Sequence, residues 1–270
     1  MLARTEVGEP VEIVAPISTR ERAVGARLAG ELSRRPEPRS LPHVTYQLTG
    51  AAGQSLGAFA IPGMRIVVNG EANDYVAKGL SGGTVVVRPP EGAAFAVEAQ
   101  AIAGNTCLYG ATGGRVHLVG RAGMRFAVRN SGAHAVVEGV GAHGCEYMTA
   151  GVVVVLGMVG RNFGAGMTGG RAYLWDADGS AAGQLNGHGL LRRGLAELTG
   201  DEAVAAEREL HELLVAHAAE GSRRAAAILE DWERERSRFL VVDATPEGAA
   251  VTDADEADEP VSAKVAAAGR

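Results

Sequence analysis

The sequence predicts a mainly β fold, a parallel β-helix with coils of about 19 residues, led by a short helix and followed by several more. Three observations carry this. A repeat runs through the middle of the chain. Its period is too short for a βαβ unit, which takes roughly 30 residues or more. Glycine, at 38 of 270 residues, is used at about twice its usual share of roughly 7%.

Six segments define the repeat by placing a small residue before a β-branched run: Gly63-MRIVVN-Gly70, Gly83-TVVVRP, Gly114-RVHLV-Gly120, Ala133-HAVVE-Gly139, Gly151-VVVVL-Gly157 and Gly170-RAYLWD. The anchors are spaced by 20, 31, 19, 18 and 19 residues, so one insertion of about a dozen residues falls near Pro89 to Gln100. A 19-residue unit holds two or three short strands with tight glycine turns. Stacking such units satisfies each backbone edge and covers each apolar face. Seven residues before the anchors stand Leu56, Val76, Cys107, Phe126 and Phe163, with Gly144 or Cys145 in the fifth repeat, an apolar column suited to the interior. Cys107 and Cys145 then lie two coils apart, roughly 9.6 Å by strand spacing. That is beyond the usual disulfide reach of about 7 Å, so both read as buried thiols.

The predicted elements follow in order. Residues 1–43 are a lead-in with a helix from Thr19, capped by Ser18 or Thr19 with Glu21 in its first turn and ended by Pro36 and Pro38. Residues 44–176 are the repeat. Residues 177–242 hold a Gly/Ala-rich linker (177–189) and a helical cap, with Leu210, Leu213, Leu214 and His217 on one face, Ile228, Leu229 and Trp232 on another, and an extended Phe239-Leu-Val-Val. Residues 243–270 are an acidic tail expected to be disordered. Its seven acids against two bases supply −5 of the formal −6, leaving the body near neutral and unsuited to nucleic acid. No basic end precedes an apolar core at the N-terminus, and no apolar run approaches the roughly 20 residues of a membrane span. A cytoplasmic protein without a membrane partner is expected.

Gly139-Val140-Gly141-Ala142-His143-Gly144 is a literal G-x-G-x-x-G. A dinucleotide loop must open a helix, but only Cys145 to Ala150 separate it from the strand run after Gly151. No helix fits, and the glycines read as turn residues. The chain is therefore expected to bind neither NAD nor FMN.

The words GAAGQSLGAF, GEANDYVAKGLSGG, GNTCLYGATGG, AGMRFAVRNSGAHAVVEGVGAHGCEYMTAGVVVVLG and GRNFGAGMTGG resemble the C-terminal GXGXG domain of the glutamate synthase large subunit. AILEDWERERSRFLVV resembles the helical tail that follows that domain, and RAVGARLAGEL the segment before it, so the likeness covers about residues 18–242. The resemblance implies a right-handed β-helix standing alone as a non-catalytic scaffold of a glutamate synthase-type oxidoreductase, or of a related N-methylglutamate synthase. Glutaminase and FMN-containing synthase subunits would be the partners. The glutaminase nucleophile, an N-terminal Cys, is not found in Met1-Leu2-Ala3, and FMN and an iron–sulfur cluster are expected in partners rather than here. A more distant likeness is to the β-helical subunit of formylmethanofuran dehydrogenase, whose family lacks the Asn73-Asp74-Tyr75 and Gly144-Cys145-Glu146-Tyr147-Met148 wording. A β-helix with its own enzymatic or ligand site is a further alternative.

Candidate chemistry is sparse. His143, Cys145 and Glu146 are close in sequence, but a zinc deaminase needs a further C-x-x-C pair. Asp74, Tyr75 and Lys78 could meet a ligand, though solvated turn polars explain them, with Asn73 and Asp74 bonding their own backbone. Arg125, Arg129 and Asn130 sit at a turn and suit an interdomain salt bridge. No catalytic, cofactor-binding or metal-binding residue is assigned.

Overall fold

A computed structural model describes residues 10–34, 43–90 and 92–245. The strands are β1 (Val11–Ile17), β2 (Val44–Ala52), β3 (Met64–Ala72), β4 (Ser81–Arg88), β5 (Gly113–Leu118), β6 (Ser131–Val137), β7 (Ala150–Val155), β8 (Arg171–Trp175), β9 (Leu190–Gly194) and β10 (Phe239–Ala244). They form one ten-stranded sheet in the order β1-β2-β3-β4-β5-β6-β7-β8-β10-β9. Pairing is parallel from β1 to β8, and β10 runs antiparallel to both β8 and β9.

The expected right-handed β-helix is corrected by this topology. Each repeat contributes one strand, not two or three, and the strands make a single mixed sheet. The physical reason lies in the rest of each repeat. There, residues with positive φ alternate with their neighbours, and a chain that keeps returning to left-handed backbone cannot run as a second extended strand.

The repeat itself appears as strand register. Thr84, Arg115, His134, Val152 and Arg171, each one past its anchor, pair in sequence across β4 to β8. At the first anchor the pairing slips: Thr84 opposes Arg65, two past Gly63.

The uninterrupted runs Val85-Val86-Val87 and Val152-Val153-Val154-Val155 do not alternate apolar with polar. Such runs mark strands covered on both faces, and both faces are covered. Val153 and Val155 join Leu118, Phe126 and Phe163 in one core, while Val152 and Val154 face a second core with Leu210, Leu214 and Ile228. The second core is supplied by helices α2 (Gly200–Ala219) and α3 (Arg223–Glu230), followed by the short α4 (Trp232–Glu235). No helix among the described residues is long and apolar enough to cross a membrane.

The lead-in helix α1 (Ala26–Ser33) starts later than its sequence pattern suggests. Ser18 N–H and Oγ both donate to Glu21 Oε2, at 2.7 and 2.6 Å. Positive φ at Ala23 (52°) and Gly25 (95°) then holds the chain out of helix until Ala26. Pro36 and Pro38 lie outside the described residues, as does the tail from 246 onward, while Asp243 and Ala244 close β10.

Cys107 and Cys145 are free and fully buried. Burial pushes the Cys107 thiol up to about 12 and the Cys145 thiol up as well, and thiolate is the reactive form. A disulfide-exchange reagent is expected to label neither thiol in the native protein and both in guanidinium. Rapid native labelling of either one would show that this core opens.

Candidate functional site

Opposite the strands, six turns stack in a ladder. Each has positive φ at three alternating residues, from Ser55, Gly57 and Phe59 in the first to Asn162, Gly164 and Gly166 in the last. Between them come Tyr75-x-Ala77-x-Gly79, Thr106-x-Leu108-x-Gly110, Arg125-x-Ala127-x-Arg129 and His143-x-Cys145-x-Tyr147. Backbone bonding repeats along the four inner rungs. The middle residue donates back to the previous turn and its flanking residues donate forward, as when Ala127 N–H meets Cys107 O (2.9 Å) while Arg125 and Arg129 N–H meet Ala142 and Glu146 O (both 2.8 Å). These bonds fix the fifth position of the apolar column at Gly144, because Gly164 N–H donates to Gly144 O. A Cβ at Gly144 would stand 2.7 Å from Phe163 Cδ2, so the last glycine of the G-x-G-x-x-G makes room for a core ring.

The middle residues are buried, and the flanking residues carry side chains outward. Phe59 and Tyr147 are each 56% exposed, Met124 51% and Tyr75 38%. Tyr147 lies over Gly166, where a Cβ would come within 2.6 Å of the ring, and the Arg129 guanidinium stands 5.9 Å from the Tyr147 centroid. Lys78 Nζ is 5.6 Å from the Tyr75 centroid. The face therefore presents aromatic rings and cations in register, the residue types enriched where protein surfaces meet.

The polar residues singled out from sequence take definite places. Asn73 Oδ1 accepts from Asp74 N–H (2.8 Å), a local turn bond, and Asp74 Oδ1 accepts from Asn105 N–H in the next turn (2.7 Å). Asn130 is fully buried. It accepts from Ala133 N–H and donates to Ala133 O, both at 2.9 Å, so it braces a turn and is not a partner contact. His143 and Glu146 meet, with Nδ1 2.6 Å from Oε1. Asn162 Nδ2 also donates to Glu146 Oε1 (3.3 Å), and Asn186 Nδ2 donates to Asn162 Oδ1 (2.7 Å). Asn162 Nδ2 also stands 3.1 Å from His143 Nδ1, so His143, Glu146 and Asn162 close one three-sided polar contact. Cys145, between them in sequence, belongs to the core and does not join this network. Among the described residues no three His, Cys, Asp or Glu side chains group to hold a metal.

A second polar cluster was invisible to sequence reasoning. His117 in β5 and His217 in α2 stack with ring centroids 5.5 Å apart and Nδ1 atoms 3.3 Å apart, so one donates and the other accepts. Beside them Ser222 Oγ donates to Glu138 Oε1 (2.5 Å) and accepts from Ala225 N–H (3.0 Å), capping α3. All four residues are at least 96% buried. Burial lowers the His117 pKa to about 4, opposed by the Glu220 charge and assisted by Arg65 and Arg115. Burial, and then His117 itself, depresses His217 well below its ordinary range. Two separate signals were available, His117 interrupting the apolar run of β5 and His217 sharing a helix face with Leu210, Leu213 and Leu214, but nothing in the sequence joined them.

Comparison with known proteins places this architecture. The GXGXG motif family matches residues 2–245. Ferredoxin-dependent glutamate synthase 1, chloroplastic/mitochondrial, of Arabidopsis thaliana is 48% identical over 226 residues, 83% of this chain and 14% of that protein. Glutamate synthase [NADH] of Schizosaccharomyces pombe is 45% identical over 240 residues, 88% of this chain and 11% of that protein. The glutamate synthase [NADPH] large chain of Bacillus subtilis is 43% identical over 243 residues, 88% of this chain and 16% of that protein. The chain thus spans only a small part of the relatives it matches, the part that is their GXGXG region. With its family profile covering nearly the whole described chain, and relatives well above 30% identity, the chain belongs to the GXGXG family.

Proposed function

We propose that this chain serves a glutamate synthase-type reaction, glutamine plus 2-oxoglutarate to glutamate or a related N-methylglutamate synthesis, as a non-catalytic cytoplasmic scaffold. The observation that carries this is the 48% identity to a glutamate synthase over 226 residues, joined to a turn face of Arg125, Arg129, Tyr147 and Tyr75. In this reading a glutaminase and an FMN-containing synthase subunit dock on that face, and FMN and the iron–sulfur cluster belong to them. Each turn is hydrogen-bonded to its neighbours, so the face is stiff and holds two distant centres at a fixed separation while nitrogen passes between them.

Co-expression with a glutaminase and a flavoprotein synthase from the same genome, followed by size exclusion, tests the reading. Co-elution at micromolar concentration and a fall in glutamine-dependent turnover without this chain are expected. Arg129→Glu combined with Tyr147→Ala, both at exposed positions, should release at least one partner. Separate elution with unchanged turnover overturns the scaffold role.

A further inference from the structure

A cleft of about 1120 Å³ runs along the carboxyl ends of the parallel strands. Asn69 of β3, Arg88 of β4, Glu138 just beyond β6 and Trp175 of β8 lie along it. Pro89, Pro90, Gly92, Phe95 and Val97 line it from the insertion that lengthens a single repeat to 31 residues. The α2–α3 junction and α4 line it as well. Residues 141–144 take no part in it.

The lining of the cleft combines cationic and apolar groups. Among the described residues five arginines line it against Glu138, Glu220 and Glu235. Arg234 and Arg238 pair with Glu235 at 2.9 and 3.4 Å, and Arg88 with Glu220 at 3.7 Å. Arg224 donates to Leu156 O (2.8 Å) and lies 5.5 Å from the Trp175 centroid, fixing its plane. Arg223 opens α3, is exposed, and pairs with no carboxylate among the described residues. Phe95, 46% exposed, lines the same cleft together with Pro89 and Val97.

We propose that this cleft binds a nucleotide, with its phosphate on Arg223 and Arg224 at the start of α3 and its base against Phe95. Arg223 and Arg224 stand side by side, and guanidinium forks fit phosphate oxygens in pairs. Ser222 already takes the Ala225 N–H, so from the first turn of α3 only the Arg223 and Arg224 N–H groups remain to add to the guanidinium donors. An inorganic anion would fill a small part of the volume and leave the aromatic wall bare. A planar base covers that wall, and pockets of roughly 300–1,000 Å³ suit ligands of this size. The inference stands apart from the scaffold reading, since it uses no residue of the turn face.

Calorimetry on the full chain at low salt tests it, with AMP, adenosine and inorganic phosphate as probes. AMP is expected to bind with Kd on the order of 10 μM, and adenosine and phosphate at least about tenfold more weakly, with AMP affinity falling as salt screens the arginines. Arg223→Glu should weaken AMP at least about tenfold, an effect of over 1.4 kcal/mol. Phe95→Ala should weaken AMP and leave phosphate unchanged. Both positions are exposed, so circular dichroism should match wild type. No AMP heat up to about 1 mM, equal binding of AMP and phosphate with no Phe95 effect, or an Arg223→Glu variant with unchanged affinity overturns the proposal.

Discussion

Gly151→Val is expected to cost the fold more than about 4 kcal/mol, which places it among the most damaging single substitutions. Gly151 opens the longest apolar run of the sheet at φ 90°. There a built Cβ stands 2.4 Å from Ala133 O, 3.0 Å from Ala133 N and 2.8 Å from Asn130 Nδ2. Two penalties combine. Left-handed backbone costs a residue with a Cβ about 1–2 kcal/mol, more for a β-branched one. The steric conflict is with backbone held by the β6–β7 ladder and by the buried Asn130 brace, so it cannot be relieved by a side-chain rotation. Gly187→Ala is the control, because nothing lies within 4 Å of its built Cβ. Urea denaturation should find the control within about 0.5 kcal/mol of wild type and Gly151→Val unfolded or insoluble. A Gly151→Val protein within about 1 kcal/mol of wild type would show that the β6–β7 pairing yields more readily than its geometry implies.

Lowering the pH from 7 to 5 should destabilise the protein by about 2 kcal/mol through His117 alone, from its shift of 6.5 to about 4 and 1.36 kcal/mol per unit. The folded state keeps His117 neutral, while the unfolded chain takes up a proton below its ordinary 6.5. Stability from this group is whole above that value and falls as pH drops toward the folded value, where His117 charges in place. His217, depressed by burial and by the neighbouring imidazole, acts in the same direction. The charges around the pair are Arg65, Arg115, Glu220 and Glu138, and those that face His117 are already included in its shift. Glu21 and Glu202, held below their usual range by Ser18 and Arg193, lose stability only at lower pH. Urea midpoints measured from pH 7 to pH 5 should fall for wild type and stay nearly level for the double variant His117→Leu, His217→Leu. Parallel curves for the two proteins would locate the acid sensitivity elsewhere.

Much of the architecture could be read from residue order. The small-residue anchors mark strand starts because the backbone turns there against the preceding strand, as at Gly83, whose built Cβ would meet Met64 O at 2.4 Å. The unbroken valine runs carry the pattern of two covered faces, which the β-helix reading left unused, and Leu210, Leu214 and Ile228 cover one of them. What failed was the inference from period to strand count. Nineteen residues leave room for several strands, and the backbone uses that room for turns instead. Of the candidate site, Arg125, Arg129 and Tyr147 were legible as turn residues, while the cleft arginines were not, since Arg88 and Arg223 lie far apart in sequence on separate elements.

Residue order alone settles the period, the register from β4 to β8, the apolar column except its fifth position, and the family, because each is a pattern of side-chain size and polarity along the chain. The single mixed sheet, the ladder of left-handed turns and the buried His117–His217 pair are settled only in three dimensions. Residues such as Leu108, Arg125 and Cys145 have no intrinsic preference for positive φ. They adopt it because bonds to the turns before and after satisfy each of these inner rungs, and those bonds, like the contact between two histidines 100 residues apart, exist only once the repeats have stacked.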